Sequence, residues 1–149
     1  MFKLIYSCLL ITTVSFLSSG CTSIQVNPIS SEEFKNIREI CIVNNLEVKI
    51  VDFVPVLEKR LQQHKIATRK INEVDVTQSC EYALRYSARR SWDITTYLSW
   101  AELNLFKQNQ QIASAEYSLV AKGGLSLMKW QSVETKMNPV IDRLLGLAN

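Results

Sequence analysis

The sequence lacks an excess of charge of either sign, since 17 basic and 14 acidic side chains are spread over 149 residues. This near balance argues against a protein that binds nucleic acid by electrostatic attraction. An apolar content of 47% argues against a disordered chain. Once an almost uncharged N-terminal segment is set aside, the remaining length fits one domain with a single core.

Motifs that carry common enzyme chemistry are also missing. The chain has no Gly-x-Ser-x-Gly elbow, no phosphate-binding loop and no dinucleotide fingerprint, and residues 123–126 match only half of the elbow. The one histidine, His64, lies at the end of a predicted helix, where we expect it to be solvated and favourably placed at the negative pole of the helix dipole. We therefore predict that the protein is not an enzyme and uses no cofactor beyond covalent lipid.

The N-terminal segment has the features of a signal peptide. Residues 1–20 contain one charged residue, Lys3, before an apolar run from Leu4 to Leu17. That run is short for a membrane-spanning helix, which needs about 20 residues. It leads into Leu17-Ser18-Ser19-Gly20-Cys21, which resembles the lipobox of bacterial lipoproteins. The alternative is an ordinary cleaved signal peptide with a cysteine there by chance.

The lipobox resemblance implies that the chain is cut before Cys21, which then carries a diacylglycerol on its thiol and an acyl chain on its amino group. Two or three acyl chains, at about 0.8 kcal/mol per buried methylene, anchor a protein stably. Thr22 stands where Asp would retain a lipoprotein in the inner membrane, so we expect the periplasmic side of the outer membrane. The predicted organisation is a signal peptide (1–20), a lipidated tether (21–36) and one periplasmic domain (37–149).

Two of the four cysteines remain available for a disulfide. Cys8 is removed with the signal peptide and Cys21 carries lipid, which leaves Cys41 and Cys80 in an oxidising compartment. We expect one bridge between them, with two buried free thiols as the alternative. Two cysteines and His64 are too few ligands for structural zinc, so no metal site is predicted.

The first half of the domain has the pattern of a strand–helix–strand unit. Residues 40–43 form a short β-branched run that is typical of a buried strand. Asp52 can cap a helix that continues to about His64, and residues 66–71 form a plausible second strand. The two strands should be parallel.

The second half predicts an antiparallel meander followed by a helix. Alternating patterns start at Cys80, Tyr97 and about Ala113, and the first hairpin could place Arg85 opposite Glu102. A helical stripe then ends at Gly146; either its helix starts at Ser132 with Pro139 inside, or it starts at Pro139. The predicted fold is α+β: a two-layer, mixed five-stranded sheet with two helices on one face.

Two features favour a binding surface. Residues 88–93, which include Arg89, Arg90, Trp92 and Asp93, lie at the predicted turn between two strands, and could recognise an anionic group or a partner loop. The alternative is internal: an arginine pairs with Asp93 and Trp92 covers the core. On the next strand, a strip of Leu98, Trp100 and Phe106 faces away from the helices, unless the tether or residues 123–130 cover it.

Several stretches resemble a small group of uncharacterised gammaproteobacterial lipoproteins. The resemblance spans nearly the whole mature chain, and Ala-Arg-Arg-Ser-Trp-Asp at 88–93 is its most specific part. It implies a lipid-anchored periplasmic α+β domain of no assigned activity, so no catalytic residues carry over. The other stretches that carry it are Cys21-Thr22-Ser23, residues 40–43, Cys80-Glu81-Tyr82, Tyr97-Leu98, residues 101–103, residues 114–117, residues 122–124 and Lys129-Trp130.

The leading hypothesis is a lipid-anchored accessory module that binds an envelope component through Arg89, Arg90, Trp92, Asp93 and Trp100. Two alternatives remain: an enzyme that acts on peptidoglycan or lipid, and a structural lipoprotein that forms a homodimer or larger self-assembly. No nucleic-acid partner is expected.

Overall fold

A six-stranded mixed sheet organises the residues that the computed structural model describes, which are 22–75, 80–120 and 127–147. The predicted signal peptide, Cys21 and the glycines near 123 lie outside these ranges. The strands are β1 (Thr22–Asn27), β2 (Glu39–Val43), β3 (Ala67–Ile71), β4 (Tyr82–Asp93), β5 (Thr95–Lys107) and β6 (Gln110–Leu119), in the order β1-β6-β5-β4-β2-β3. The helices are α1 (Ser31–Asn36), α2 (Phe53–Gln63) and α3 (Val133–Leu144), with 3-10 turns at Glu73–Asp75 and Leu127–Trp130.

The strand–helix–strand prediction is confirmed. β2 and β3 pair in parallel, and α2 connects them. Ile40 and Ile42 enter the main core, while Cys41 and Val43 point to the opposite face. Asp52 precedes the helix as expected, although its side chain makes no capping hydrogen bond.

The helices cover one face of the sheet, as the α+β prediction required. Phe53, Leu57 and Leu61 of α2 are buried, as are Met137 and Ile141 of α3. α3 follows the first of its two predicted starts: the Ser132 hydroxyl accepts a hydrogen bond from the Thr135 backbone N–H at 3.1 Å, and Pro139 lies inside the helix.

The segment predicted as a tether, residues 21–36, is instead largely folded. β1 forms an antiparallel ladder with β6 and adds the sixth strand, because Ile24 and Val26 alternate with polar residues and pack against the core. α1 then begins after Ser30, whose hydroxyl accepts a hydrogen bond from the Glu33 N–H at 3.1 Å. Pro28 and the small polar residues concealed this alternation.

Glu33 connects α1 to the sheet. Its carboxylate accepts hydrogen bonds from the Tyr82 hydroxyl at 2.5 Å and from the Lys107 ammonium at 2.6 Å. These bonds lower the pKa of Glu33. The segment after Cys21 is therefore part of the domain.

The meander is confirmed, but its predicted register is wrong. Arg85 lies opposite Asn104, and Glu102 lies opposite Ser87. β4 continues through the expected turn to Asp93, and an extra residue at Ser99 shifts the pairing on β5. Arg85 and Glu102 are therefore not directly opposite each other on the two strands.

The predicted disulfide is confirmed between Cys41 of β2 and Cys80, with their Cα atoms 6.1 Å apart. It packs beside Val43, Ile71 and Ala83 on the sheet face away from the helices. The bridge links the parallel unit to the start of the meander.

Replacing both cysteines with alanine should lower the free energy of unfolding by about 4 kcal/mol, because the unfolded chain regains the entropy of an open loop. Urea titration of the oxidised protein and the double variant measures the difference. Wild-type protein kept reduced with dithiothreitol is the control and should match the variant. Equal midpoints for oxidised and reduced wild type would contradict a stabilising role.

Candidate binding surface

The sheet face opposite the helices, here called the outer face, carries two stacked cation–aromatic pairs. Arg85 and Arg89 are four residues apart on β4, so their side chains share this face. The Arg85 guanidinium lies 4.6 Å from the centre of the Phe106 ring, and the Arg89 guanidinium lies 4.3 Å from the Trp100 ring. Both aromatic rings belong to β5.

The two arginines differ in charge compensation. Arg85 forms an ion pair with Glu73, with 2.5 Å between Nη2 and Oε1, and this pairing lowers the pKa of Glu73. Within residues 22–75, 80–120 and 127–147, no carboxylate pairs with Arg89. Its N–H groups therefore remain available to an external acceptor, while Trp100 holds the guanidinium plane in place.

A groove of about 340 Å³ lies beside the Arg89–Trp100 stack. Its far wall is the loop after β2, which Asn45 fixes by donating its side-chain amide to the Tyr86 carbonyl at 2.9 Å. The lining residues are Asn45, Glu47, Val48, Ser87, Ala88, Arg89 and Trp100. The groove is therefore already shaped before any ligand arrives.

Residues 88–93 were predicted as a turn but form the end of β4. The chain reverses at Ile94, whose φ of 62° is the left-handed conformation that a tight turn needs. Trp92 and Ile94 are both 74% exposed at the tip. Trp92 therefore does not cover the core, and Arg90 is exposed on the same strand.

Asp93 does not pair with either neighbouring arginine. Its carboxylate accepts a hydrogen bond from the Lys129 ammonium at 2.8 Å, and its carbonyl accepts one from the Trp130 indole at 3.2 Å. The Lys129 side chain is almost fully buried, and the Asp93 carboxylate raises the pKa of its ammonium. Asp93 thus fixes the hairpin to the last 3-10 turn and is not a free recognition group.

The predicted apolar strip on β5 is wrong at its first member. Ser99 is the bulge residue, and its hydroxyl donates to the Arg89 carbonyl at 3.1 Å. This extra residue turns Leu98 into the core, where it is only 3% exposed. Trp100 and Phe106 keep their predicted outward positions, each beneath an arginine.

Sequence reasoning missed an acidic pair on the outer face. Glu102 of β5 lies directly opposite Glu116 of β6, and both line a shallow groove of about 300 Å³ with Gln25 of β1. Like charges at opposed positions destabilise a sheet, so this pair carries a small folding cost. The two residues are neighbours only because of the register between β5 and β6, which the sequence pattern did not predict.

His64 is half-buried and hydrogen-bonded rather than solvated. Its Nε2 lies 2.8 Å from the Asp142 carboxylate, which also accepts a hydrogen bond from Arg60 Nε at 2.7 Å. This cluster joins the end of α2 to α3 and lies on the helical side, away from the outer face. Its geometry assigns His64 a structural contact.

The described residues offer neither a cluster of metal ligands nor a membrane-spanning helix. They contain no group of three His, Cys, Asp or Glu side chains placed to hold a metal ion. None of the helices within those ranges is both long and apolar enough to cross a bilayer.

Comparison with known proteins gives a likeness of fold. No family model and no curated protein matches the chain. The PelC dodecamer from Paraburkholderia phytofirmans matches with a TM-score of 0.57 and 10% identity, covering 87% of this chain and 99% of that one. A point variant of that dodecamer gives 0.52 and 13%, covering 80% and 98%. At such identities the likeness concerns the α+β fold alone.

Lys136 of α3 is the buried group that holds the base of the hairpin. Its ammonium donates hydrogen bonds to the carbonyls of Leu98 at 3.0 Å and Lys129 at 2.6 Å, and lies 5.6 Å from the Tyr97 ring. Burial disfavours the charged form and lowers the pKa of Lys136 to about 8.

The folded protein should become more stable, relative to a Lys136→Met variant, as the pH rises from 7 to 10. The folded state binds fewer protons at this site than the unfolded state between the lowered pKa and the ordinary value of 10.5. Urea midpoints at several pH values test this, because all other titrating groups are common to both proteins. A constant difference between the two curves would contradict the lowered pKa.

Proposed function

We propose that the protein is a lipid-anchored accessory protein of the bacterial envelope, which faces the periplasm and acts by binding rather than by catalysis. Acylation of Cys21 and retention at the outer membrane are parts of this proposal, and the lipobox and Thr22 support them. The observation that carries the binding function is the Arg89 guanidinium, which has no carboxylate partner among the described residues and stacks on Trp100 beside a formed groove.

The Arg89 side of this groove favours an anionic group on an envelope component, while Glu47 lies on the opposite wall. A guanidinium presents several N–H donors in one plane and binds carboxylate or phosphate in a bidentate manner. The indole beneath it limits the rotation of the side chain, so less entropy is lost on binding. Ser87 adds a hydroxyl on the same wall of the groove.

Arg89→Ala should abolish capture of a partner, whereas Arg85→Ala should leave it intact. Arg85 is the matched control because it lies on the same strand and face, stacks on an aromatic ring, and is already neutralised by Glu73. A photo-crosslinking amino acid in place of the exposed Glu47 on the far wall of the groove, introduced in cells and followed by mass spectrometry, measures capture. Equal crosslinking in wild type and Arg89→Ala, or equal loss in both variants, would refute recognition by Arg89.

Self-association is a second candidate, supported by the likeness of the fold to a dodecamer. The half-exposed rings of Trp100 and Phe106, together with the opposed carboxylates of Glu102 and Glu116, offer apolar and charged contacts to a second copy. Such a contact would use the outer face as an interface between subunits, with unpaired Arg89 available to the carboxylates of a neighbouring subunit.

The opposed carboxylates of Glu102 and Glu116 allow a direct test of self-association. Glu102→Gln with Glu116→Gln should shift the protein towards monomer if those carboxylates meet Arg89 of another copy, because the interfacial attraction is lost. Analytical ultracentrifugation of the detergent-solubilised mature protein measures the mass distribution over a range of concentrations. A wild-type protein that stays monomeric at every concentration would rule this candidate out. Glu134→Gln, on the helical side, is the control.

A further inference from the structure

Large apolar side chains that remain exposed are concentrated at one end of the sheet. The structure records eight of them in its described ranges, and seven lie where β2, β3, β4 and β6 end. These seven are Leu46, Val51, Val74, Trp92, Ile94, Val120 and Leu127. We call this end the Trp92 end; the eighth residue, Leu147, follows α3 at the other end.

Strand directions fix this grouping. β2, β3 and β4 run in the same direction, and β6 runs parallel to them because it is separated from β4 by antiparallel β5. Leu46 and Val51 lie in the connection after β2, Val74 follows β3, and Val120 follows β6. Residues far apart in the sequence thus lie toward the same end of the sheet, with Val74 set back from the hairpin tip because its neighbour Glu73 pairs with Arg85.

The opposite end, at the β5–β6 turn, has a different character. Gln108, Asn109 and Gln110 are exposed there, and Lys65 lies at the neighbouring end of α2. The domain is therefore polarised along its strands, with apolar side chains exposed mainly at the Trp92 end.

β1 begins at this same end. Thr22 pairs with Leu119, the last residue of β6, so β1 starts at the Trp92 end, one residue after Cys21 in the sequence. The β4–β5 hairpin projects beyond the level of the Thr22–Leu119 pair. Trp100 lies opposite Ser118, and Ile94 is six residues earlier on β5. At about 3.3 Å per residue, and with the bulge at Ser99 discounted, the tip extends roughly 15 Å beyond Thr22.

We propose that the Trp92 end is a bilayer-contacting surface, with the side chains of Trp92 and Ile94 entering the headgroup region of the membrane that holds the Cys21 lipid. This inference rests on the proposed lipid anchor. Interfacial segments bury their apolar side chains about 5–10 Å deep, and the projection of the hairpin is long enough for its tip to reach that depth. Indole rings favour this depth because one edge is apolar and the N–H is polar.

The attraction is hydrophobic rather than electrostatic. Lys49, Arg89 and Arg90 at this end are balanced, apart from one positive charge, by Glu47 and Asp52, while Asp93 pairs with Lys129. A surface of mixed charge gains little from anionic lipid. The contact should therefore form on zwitterionic phosphatidylcholine and persist at high salt.

The test uses the processed, lipidated protein in phosphatidylcholine vesicles that carry bromine at a shallow or a deep acyl position. Bromine quenches indole fluorescence at short range, and the difference between wild type and Trp92→Phe isolates the signal of Trp92. We expect quenching that is stronger for the shallow label and that disappears in Trp92→Phe. Ile94→Asp should reduce it, and Leu147→Asp, at the opposite end, should not.

The outcomes separate the two proposals. If Cys21 takes up no labelled fatty acid, the anchor fails and the bilayer contact fails with it. If Cys21 is acylated but bromolipid leaves Trp92 unquenched, the bilayer contact alone is overturned. A Trp92 emission that responds to protein density and not to bromine would instead assign this end to a second copy of the chain, which also overturns the proposal.

Discussion

The hydrogen-bonded pairing of β1 with β6 is the constraint on which the orientation of the domain relative to the proposed lipid anchor depends. Its six residue pairs start at Thr22, directly after Cys21. A polar tether would leave the domain free to rotate and to move away from its attachment point. Under the proposed lipid anchor, a strand that starts one residue after Cys21 determines which end of the sheet faces the membrane. The positions of the hairpin and of the outer face follow from that choice.

Local patterns were sufficient to predict most elements of the fold. The β2–α2–β3 unit, the meander and α3 each follow from a period of two or 3.6 within a short window. β1 was missed because its partner lies nearly a hundred residues away and Pro28 ends its alternating pattern after six residues. Leu98 was placed on the wrong face because a single bulge residue, Ser99, reverses the alternation.

The residue types of the candidate site could be predicted from the sequence, but which charged side chains form ion pairs could not. Arg85 and Arg89 look equivalent in the sequence, as do the acidic residues around them. The fold gives Glu73 to Arg85 and Lys129 to Asp93, and leaves Arg89 without a carboxylate partner in the described ranges. These contacts depend on the register of the sheet and on where connecting turns return to it, and neither is encoded in a short window. A free charge is therefore a property of the fold.

The polarised ends of the sheet show the same principle for apolar residues. Trp92, Val74 and Leu127 are isolated in the sequence, where a single exposed apolar residue is ordinary. Topology collects them at one end, and burying one such side chain is worth about 1.5–3 kcal/mol. These three side chains are largely exposed, so they add little to the hydrophobic core. This free energy is gained only when another apolar phase covers this end, and β1, which would follow the proposed lipid anchor, starts at that same end.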